Sequence, residues 1–311
     1  MATLDFPASP TLGQTYSVAG SPTYQWDGEK WAVTGGGGSG ATGAVRYDVA
    51  QTLTSAQQKQ ARDNIAAVLH GHLWGLSLSM TGSSATFSVA PGVAADSTAS
   101  DKMTLVAALS KTTGAWAPGS GNGALDTGTI ANNTWYHVFI IKNPATAAVD
   151  ALISMTPLGP AVPSGFTLSR RIGSMKTNAS GQWVLFHQLG DEFLWDVPVG
   201  DVNTASFGVT STLFALSVPT GIQVNALCRI AVVNNTAITG DLFSSPDESV
   251  QTVSTPLGNM TIAQAAAANY GASPHNIRTN TNGQIRGVGS ANGTTLQINT
   301  HGWIDRRGRD Q

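Results

Sequence analysis

Carboxylate side chains are the first residues of this chain that could carry chemistry. The densest group is Asp191, Glu192 and Asp196 in the stretch GDEFLWD. Most glycoside hydrolases need two carboxylates that face each other across the scissile bond. Neighbouring residues of a strand point to opposite faces, so Asp191 and Glu192 cannot form such a pair on one strand face. We therefore expect these acids to be solvated or ion-paired, and we predict no catalytic residue and no enzymatic activity.

Histidines offer a second kind of chemistry, metal binding, at His70 and His72 in VLHGHLW. In an extended segment both imidazoles would face one side, and threefold symmetry would bring six of them to an axis, enough for an octahedral metal ion. An H-x-H pair without further ligands is much weaker than a full zinc pattern. We keep this pair as a metal hypothesis and otherwise predict no cofactor.

The charge composition limits the classes of partner. Charged residues make up 11% of the 311 residues and the net charge is −2, whereas roughly 25% charged residues is usual. There is no strong field to draw nucleic acid or anionic lipid, and such a surface costs little to desolvate against an identical copy. No apolar run approaches a bilayer span and no signal-peptide pattern is present. We predict no nucleic-acid binding, no membrane insertion and no export by its own signal.

The remaining candidates have structural interpretations beside functional ones. Cys228 is the only cysteine, which excludes an intrachain disulfide and favours packing as a small hydrophobe. Trp116 and Trp303 could stack on sugar rings, although core packing is the commoner role of tryptophan. The arginines of the ending GWIDRRGRDQ stand beside Asp305 and Asp310, which favours ion pairs between subunits or with a neighbouring protein.

The elements that must position these residues begin with a turn-rich leader at residues 1–35. Its aromatic residues Tyr16, Tyr24, Trp26 and Trp31 have strand spacing, and Asp27-Gly28 is typical of a two-residue type I′ hairpin turn. A β-hairpin module this small buries little surface of its own. We therefore predict that it docks on another protein, with these four aromatic residues as the docking residues.

A glycine-rich linker at residues 36–45 is predicted to be flexible, and a helical oligomerisation segment follows at residues 46–70. Thr54 and Gln57 fit a capping box. An isolated helix of this length is marginal in water, so its apolar stripe needs a partner. We predict a trimeric bundle, and packing on the chain's own β domain stays open as the alternative. The stripe consists of Leu53, Ala56, Ala61, Ile65 and Val68.

Residues 71–311 show a period of two, with segments rich in Val, Ile, Phe, Trp and Thr between clusters of Gly, Pro, Asn and Ser. A short alanine run at 261–271 is the one competing helical pattern. No repeat of fixed length occurs, which argues against a β-helix or propeller. We predict an all-β fold with a jelly-roll-like β-sandwich, and leave open whether it splits into two domains near residue 200.

Three segments carry a resemblance to a known family. The leader pattern FPASPTLGQTY followed by YQWDGEKW resembles the N-terminal module of many bacteriophage tail and fibre proteins. The segment AQTLTSAQQKQARDNIAA is similar to the helical motif that introduces a trimeric stalk in tail fibres. Residues 124–197, with LDTG, WYHVFII, RRIGS and GDEF, and the endings TNTNGQIR and GWIDRRGRD resemble a β domain common in tail fibres.

The resemblance implies a structural or adhesive virion protein with no catalytic residues to carry over. Our leading hypothesis is a homotrimeric tail fibre that docks on other virion proteins and contacts host cell-surface polysaccharide. Linked copies would turn weak contacts into tight attachment. A capsid or collar fibre, a tail-spike polysaccharide depolymerase and a monomeric carbohydrate-binding module remain as alternatives.

Overall fold

The computed structural model describes residues 5–18, 23–33, 54, 57, 60, 61, 64, 70–254 and 258–309. Two compact units make up the chain, Met1–Ala67 and Val68–Gln311, and we call the second unit the β body. Strands dominate the described residues, which confirms the predicted all-β, sandwich-like fold. The predicted linker and four residues of the predicted helical stripe lie outside the described residues, namely 36–45, Leu53, Ala56, Ile65 and Val68.

The described residues of the N-terminal module, 5–18 and 23–33, contain an antiparallel sheet with the order β1-β2-β3. Its strands are β1 (Thr15–Tyr16), β2 (Tyr24–Trp26) and β3 (Trp31–Val33). Tyr16 pairs with Tyr24, and Trp26 pairs with Trp31. Directly paired residues share a face, as do residues two apart on one strand. The register therefore places all four predicted aromatic residues on one face of this sheet.

The hairpin between β2 and β3 forms as predicted, but the predicted two-residue type I′ turn is wrong. Because Trp26 pairs with Trp31, the loop has four residues, Asp27 to Lys30. The Asp27 carboxylate accepts hydrogen bonds from the backbone N–H groups of Glu29 and Lys30, both at 2.9 Å. These bonds lower the pKa of Asp27 and favour the longer loop, since Asp side chains form such local turns. Only Gly28 of the Asp27-Gly28 pair has positive φ, +107°.

The first unit also contains helical residues at Gln57, Gln60, Ala61 and Asn64. The predicted capping box at their start is confirmed. The backbone N–H of Thr54 donates to Gln57 Oε1 at 2.9 Å, and the backbone N–H of Gln57 donates to Thr54 Oγ1 at 3.3 Å. These bonds satisfy backbone donors that have no partner within a first helical turn. Ala61 of the predicted stripe is half-buried.

The β body contains sheets of seven, five, four and three strands among the described residues. The seven-stranded sheet has the order β13-β11-β12-β10-β9-β6-β5, and the five-stranded sheet has the order β14-β15-β22-β17-β20. The smaller sheets are β16-β21-β18-β19 and β4-β7-β8. In chain order the strands are β4 (Leu73–Gly75), β5 (Leu78–Ser79), β6 (Thr86–Val89), β7 (Gly92–Ala95), β8 (Lys102–Leu105), β9 (Leu109–Ala115), β10 (Gly123–Leu125), β11 (Trp135–Lys142), β12 (Val149–Ser154), β13 (Leu168–Lys176), β14 (Phe186–Leu189), β15 (Glu192–Phe207), β16 (Thr212–Ala215), β17 (Asn225–Val233), β18 (Gly240–Ser244), β19 (Ile262–Ala263), β20 (Gly271–Arg278), β21 (Gln284–Gly289) and β22 (Thr294–Ile304).

One hydrophobic core extends through the larger sheets of the β body. Its buried residues run from Leu76 in the first part of the chain to Trp303 near the end. Strand β15 passes through residue 200 and pairs along β22, so the body is one compact unit and does not split near that residue. Strand β11 is buried on both faces from Trp135 to Ile141, in keeping with its continuous apolar sequence.

The alanine run at 261–271 is not helical. Ile262–Ala263 forms β19, which pairs with β18, and turns follow. Ala268 has a φ of +64°, which lies outside the helical region. Strand pairing and turn formation therefore override the high intrinsic helix propensity of alanine here. No helix in the described part of the chain is long and apolar enough to cross a membrane.

Strand β18 carries an unusual buried carboxyl group at Asp241. The residue is fully buried, and its Oδ1 accepts a hydrogen bond from Thr239 Oγ1 at 3.1 Å. Its Oδ2 has no hydrogen-bond partner among the described residues. Burial raises the pKa of Asp241 from 3.8 to about 6, even though the bond from Thr239 lowers it. The stability that this group provides is therefore present below about pH 4 and lost as the pH rises through about 6.

We expect the substitution Asp241→Asn to stabilise the β body by about 2 to 3 kcal/mol at about pH 8, because it removes a buried, poorly solvated charge. Near pH 4 the two proteins should have similar stability. Urea unfolding at both pH values measures the difference. The control is Asp201→Asn. The Asp201 carboxylate accepts hydrogen bonds from Ser217 and Thr300, so replacing it by an amide should destabilise the β body. Equal stability of wild type and Asp241→Asn at pH 8 would contradict the expectation.

Candidate functional site

The four predicted docking residues pack around Phe6 on one face of the N-terminal module. The Phe6 ring stacks on Trp31 at 5.3 Å between centroids, and meets Tyr24 at 4.9 Å and Tyr16 at 5.1 Å. Trp26 lies 5.7 Å from Trp31. The four residues are half-buried in this cluster. The aromatic side chains thus hold the module together, and their use in docking stays a prediction.

Phe6 lies at the centre of this aromatic cluster, a position that was not predicted from the sequence. Phe6 precedes the first strand, so strand periodicity gives it no place on the sheet. The signal that could have found it is its apolar aromatic side chain at the head of the FPASP segment, because a small sheet needs an apolar side chain to cover one face. The structure shows that the chain folds back, through the ring contacts of Phe6 with β1, β2 and β3.

His70 and His72 are exposed, and the chain between them is not extended. Gly71 has a φ of +71°, so residues 70 and 71 form a turn and the alternation argument for two imidazoles on one side does not apply. Among the described residues, no three His, Cys, Asp or Glu side chains are grouped to hold a metal ion. A metal site that combines this histidine pair from each of three chains stays a prediction.

Two of the three acids of GDEFLWD contact basic side chains of the same chain. Asp191 receives two hydrogen bonds from Arg309, at 2.6 and 2.7 Å. Asp196 Oδ1 lies 3.0 Å from Nε2 of His187, and Glu192 is exposed at the start of β15. The two aspartates therefore have partners within the chain, as we expected for ion-paired acids.

The charged C-terminal segment is bound to its own β body, which corrects our prediction that it pairs with another subunit or a neighbouring protein. Arg307 donates to the backbone carbonyls of Ile172 at 2.7 Å and Gly75 at 2.9 Å, and also to Leu76. Burial lowers the pKa of Arg307 to about 10, which leaves it charged at neutral pH. The physical reason is that the carbonyls of Gly75 and Leu76 at the end of β4, and that of Ile172 at the register shift within β13, need hydrogen-bond donors. One guanidinium group supplies several donors in one plane.

A buried ion pair joins this segment to β13. Arg171 donates to both carboxylate oxygens of Asp305, at 2.5 and 2.8 Å, and both side chains are almost completely buried. Burial by itself raises the pKa of Asp305, but the Arg171 charge and hydrogen bonds more than offset this, so the pKa is lowered. The neighbouring Arg170 donates to the backbone carbonyls of Ala95, Asp96 and Gly308.

His137 lies beside this ion pair and is neutral. Its Nδ1 is 2.9 Å from Ser174 Oγ. Burial, reinforced by the nearby Arg171 charge, lowers the pKa of His137 to about 4. A buried neutral imidazole bonded to a serine hydroxyl has a packing role, as we expected for this histidine.

A cavity of about 500 Å³ opens next to the ion pair, and we call it the arginine cleft. It forms where β17 begins and where β20 and β22 end, because Asn225 pairs with Arg278 on one side and with Ile304 on the other. Its lining residues are Arg171, Ile222, Gln223, Val224, Asn225, Arg278, Ile304, Asp305, Arg306 and Gly308. This combination of arginine, amide and apolar side chains makes the cleft a candidate site for a polar, negatively charged ligand.

Both tryptophans considered for sugar stacking pack against other residues of the β body. Trp303 is fully buried, so its proposed stacking on a sugar is wrong. Trp116 is half-buried, its ring packs on Phe166 at 5.3 Å, and its Nε1 donates to the carbonyl of Ala151 at 3.2 Å. Cys228 is buried, and burial raises its thiol pKa to about 12, which confirms that it packs as an unreactive hydrophobe.

No protein-family model matches the chain, and no curated protein matches it significantly.

Proposed function

We propose that this chain is a subunit of a homotrimeric fibre of a tailed bacteriophage, a tail fibre that contributes to host attachment. The observation that carries this proposal is the order of parts along the chain. A small aromatic module and a capped helix belong to one unit, and a large β body forms another. The sequences of all three parts resemble segments of phage fibre proteins.

The N-terminal module supports a docking role through its composition and size. Its three short strands have the half-buried aromatic cluster as their core, and aromatic side chains that keep one part exposed are common in binding surfaces. In this proposal the module attaches to another virion protein. The capped helix then aligns three chains, since a single helix of this length gains most of its stability from packing.

The β body supports an outward-facing, durable role. Its few charged side chains largely form ion pairs within the chain, as Arg171 does with Asp305 and Arg309 with Asp191. Three linked bodies would multiply weak contacts with a cell surface. The protein would thus reside on the virion and contact host polysaccharide through the β body.

A fibre on the capsid or collar is the alternative within the same class. A polysaccharide depolymerase is the alternative from another class and needs two converging carboxylates. In the GDEFLWD group, Asp191 forms an ion pair with Arg309, and the Asp196 carboxylate contacts the His187 imidazole. This use of the acids favours the structural function over the enzymatic one.

The test is electron microscopy of phage particles that carry an epitope-tagged copy of this chain, labelled with gold-conjugated antibody. Label at the tail is the expected result. Label at the collar or capsid would support the alternative fibre, and particles that infect normally without containing the chain would refute a virion role. Purified chain incubated with host polysaccharide should release no reducing ends, whereas release would favour the depolymerase.

A further inference from the structure

The arginine cleft concentrates positive charge in a molecule with few charges. Three arginines and one aspartate line it, whereas the whole chain has a net charge of −2. Arg171 is committed to Asp305 inside the β body. Arg278 and Arg306 are both exposed, and 57% of the Arg278 side chain is accessible at the cleft.

Arg278 keeps hydrogen-bond donors for a ligand. Its Nε lies 2.9 Å from Asp247 Oδ2, and a guanidinium group has five N–H donors in all. Asp247 also accepts two bonds from the Gln223 side-chain amide, at 3.0 and 2.9 Å. Asp247 therefore positions both Arg278 and Gln223 at the rim of the cleft. Asn225 lies directly across from Arg278 in the sheet.

The wall of the cleft has an apolar part formed by Ile222, Val224 and Ile304. Ile304 is half-buried and presents the accessible part of this apolar surface. Ile222 and Val224 are buried in the core, so this part of the wall is fixed. A sugar ring has C–H groups that suit an apolar wall and hydroxyl groups that suit amides. A carboxylate matches the planar fork of an arginine.

We propose that the arginine cleft binds one carboxylate-bearing sugar unit, a uronic acid of a polysaccharide. Arg278 receives the carboxylate, the amides of Gln223 and Asn225 bond the hydroxyls, and the ring lies against the apolar wall. The choice of a polysaccharide as the source rests on the proposed function. Asp247 and Asp305 stand close by and repel a doubly charged phosphate more than a singly charged carboxylate.

The test is isothermal titration of the full chain with a glucuronic acid oligosaccharide, a neutral glucose oligosaccharide of equal length and inorganic phosphate. We expect binding of the acidic sugar and none of the neutral one. Arg278→Gln should weaken binding roughly tenfold, because it removes a charge-assisted bond of about 1.4 kcal/mol. The matched control is Arg229→Gln, which removes an exposed arginine from β17 outside the cleft and should bind like wild type.

Equal binding by Arg278→Gln and wild type, equal binding of acidic and neutral sugars, tighter binding of phosphate, or no binding of the acidic sugar would overturn the proposal. Arg278 is largely exposed, so the variant should fold, and its circular dichroism spectrum checks this. The mass of the protein in solution tests the fibre proposal independently of the cleft proposal. A trimer without uronate binding contradicts the cleft alone, and a monomer that binds uronate contradicts the fibre alone.

Discussion

Asp305→Ala is expected to lower the free energy of unfolding of the β body by about 3 to 5 kcal/mol. The substitution leaves the Arg171 guanidinium buried without its carboxylate partner, since both side chains are almost completely buried in the wild type. It also removes the acceptor for the backbone N–H of Arg307, a bond of 2.8 Å. Urea unfolding followed by tryptophan fluorescence measures the loss.

The matched control is Asp196→Ala, which removes an aspartate that is 47% exposed from its pair with His187, which is 67% exposed. Exposed pairs contribute about 0 to 1 kcal/mol, so this variant should unfold nearly as wild type does. If the two variants lose the same stability, the buried pair does not hold the C-terminal segment as we describe. A double variant, Arg171→Met with Asp305→Leu, should recover much of the loss, because it leaves no unpaired buried charge.

Trp303→Ala should cost about 3 to 5 kcal/mol, the range for deleting a large buried aromatic side chain. Trp303 is fully buried and stacks on Phe193 at 5.1 Å with an angle of 6° between the rings. Its ring also meets Trp195 at 5.0 Å and Trp135 at 5.3 Å. The alanine variant would leave a cavity between rings that cannot easily close. Thermal unfolding by calorimetry and urea unfolding both measure the effect.

Trp74→Ala is the control for this variant, because Trp74 is 69% exposed on β4. Removing an exposed side chain usually changes stability by about 0.5 kcal/mol or less. A loss at Trp74 as large as at Trp303 would indicate that Trp74 is covered in the assembled protein, and a small loss at Trp303 would contradict the aromatic core.

Local patterns predicted the elements that depend on neighbouring residues. The period of two in the sequence predicted the strands, because a strand half-covered on one face alternates apolar and polar residues. The capping box needed only Thr54 and Gln57, three positions apart. The strand spacing of Tyr16, Tyr24 and Trp26 likewise predicted strands, and all three lie in β1 and β2.

Features that depend on distant residues could not be predicted in the same way. Arg171 and Asp305 are 134 positions apart, and only the packing of β13 against the end of β22 brings them together. The two adjacent arginines of β13 are nevertheless a signal in a chain with so few charges, because a buried arginine requires a partner. The arginine cleft likewise exists only where three strands from separate parts of the chain meet.

Two further differences between the sequence-based predictions and the structure arise because another interaction outweighs a local preference. The Asp27 carboxylate bonds two backbone N–H groups and lengthens the turn that Asp-Gly would otherwise close. The alanine run favours a helix by intrinsic propensity, but Ile262 is buried and pairs with Asp241 of β18. Tertiary pairing determines the outcome in that segment.

Sedimentation equilibrium of the full chain at micromolar concentration tests the proposed trimeric fibre most directly. A mass three times the chain mass of 32.1 kDa is expected, and Ile65→Asp, which places a charge on the predicted helical stripe, should reduce it to that of one chain. The control Gln60→Glu changes an exposed helical residue and should leave the trimer intact. A wild-type mass of 32.1 kDa would contradict the proposal.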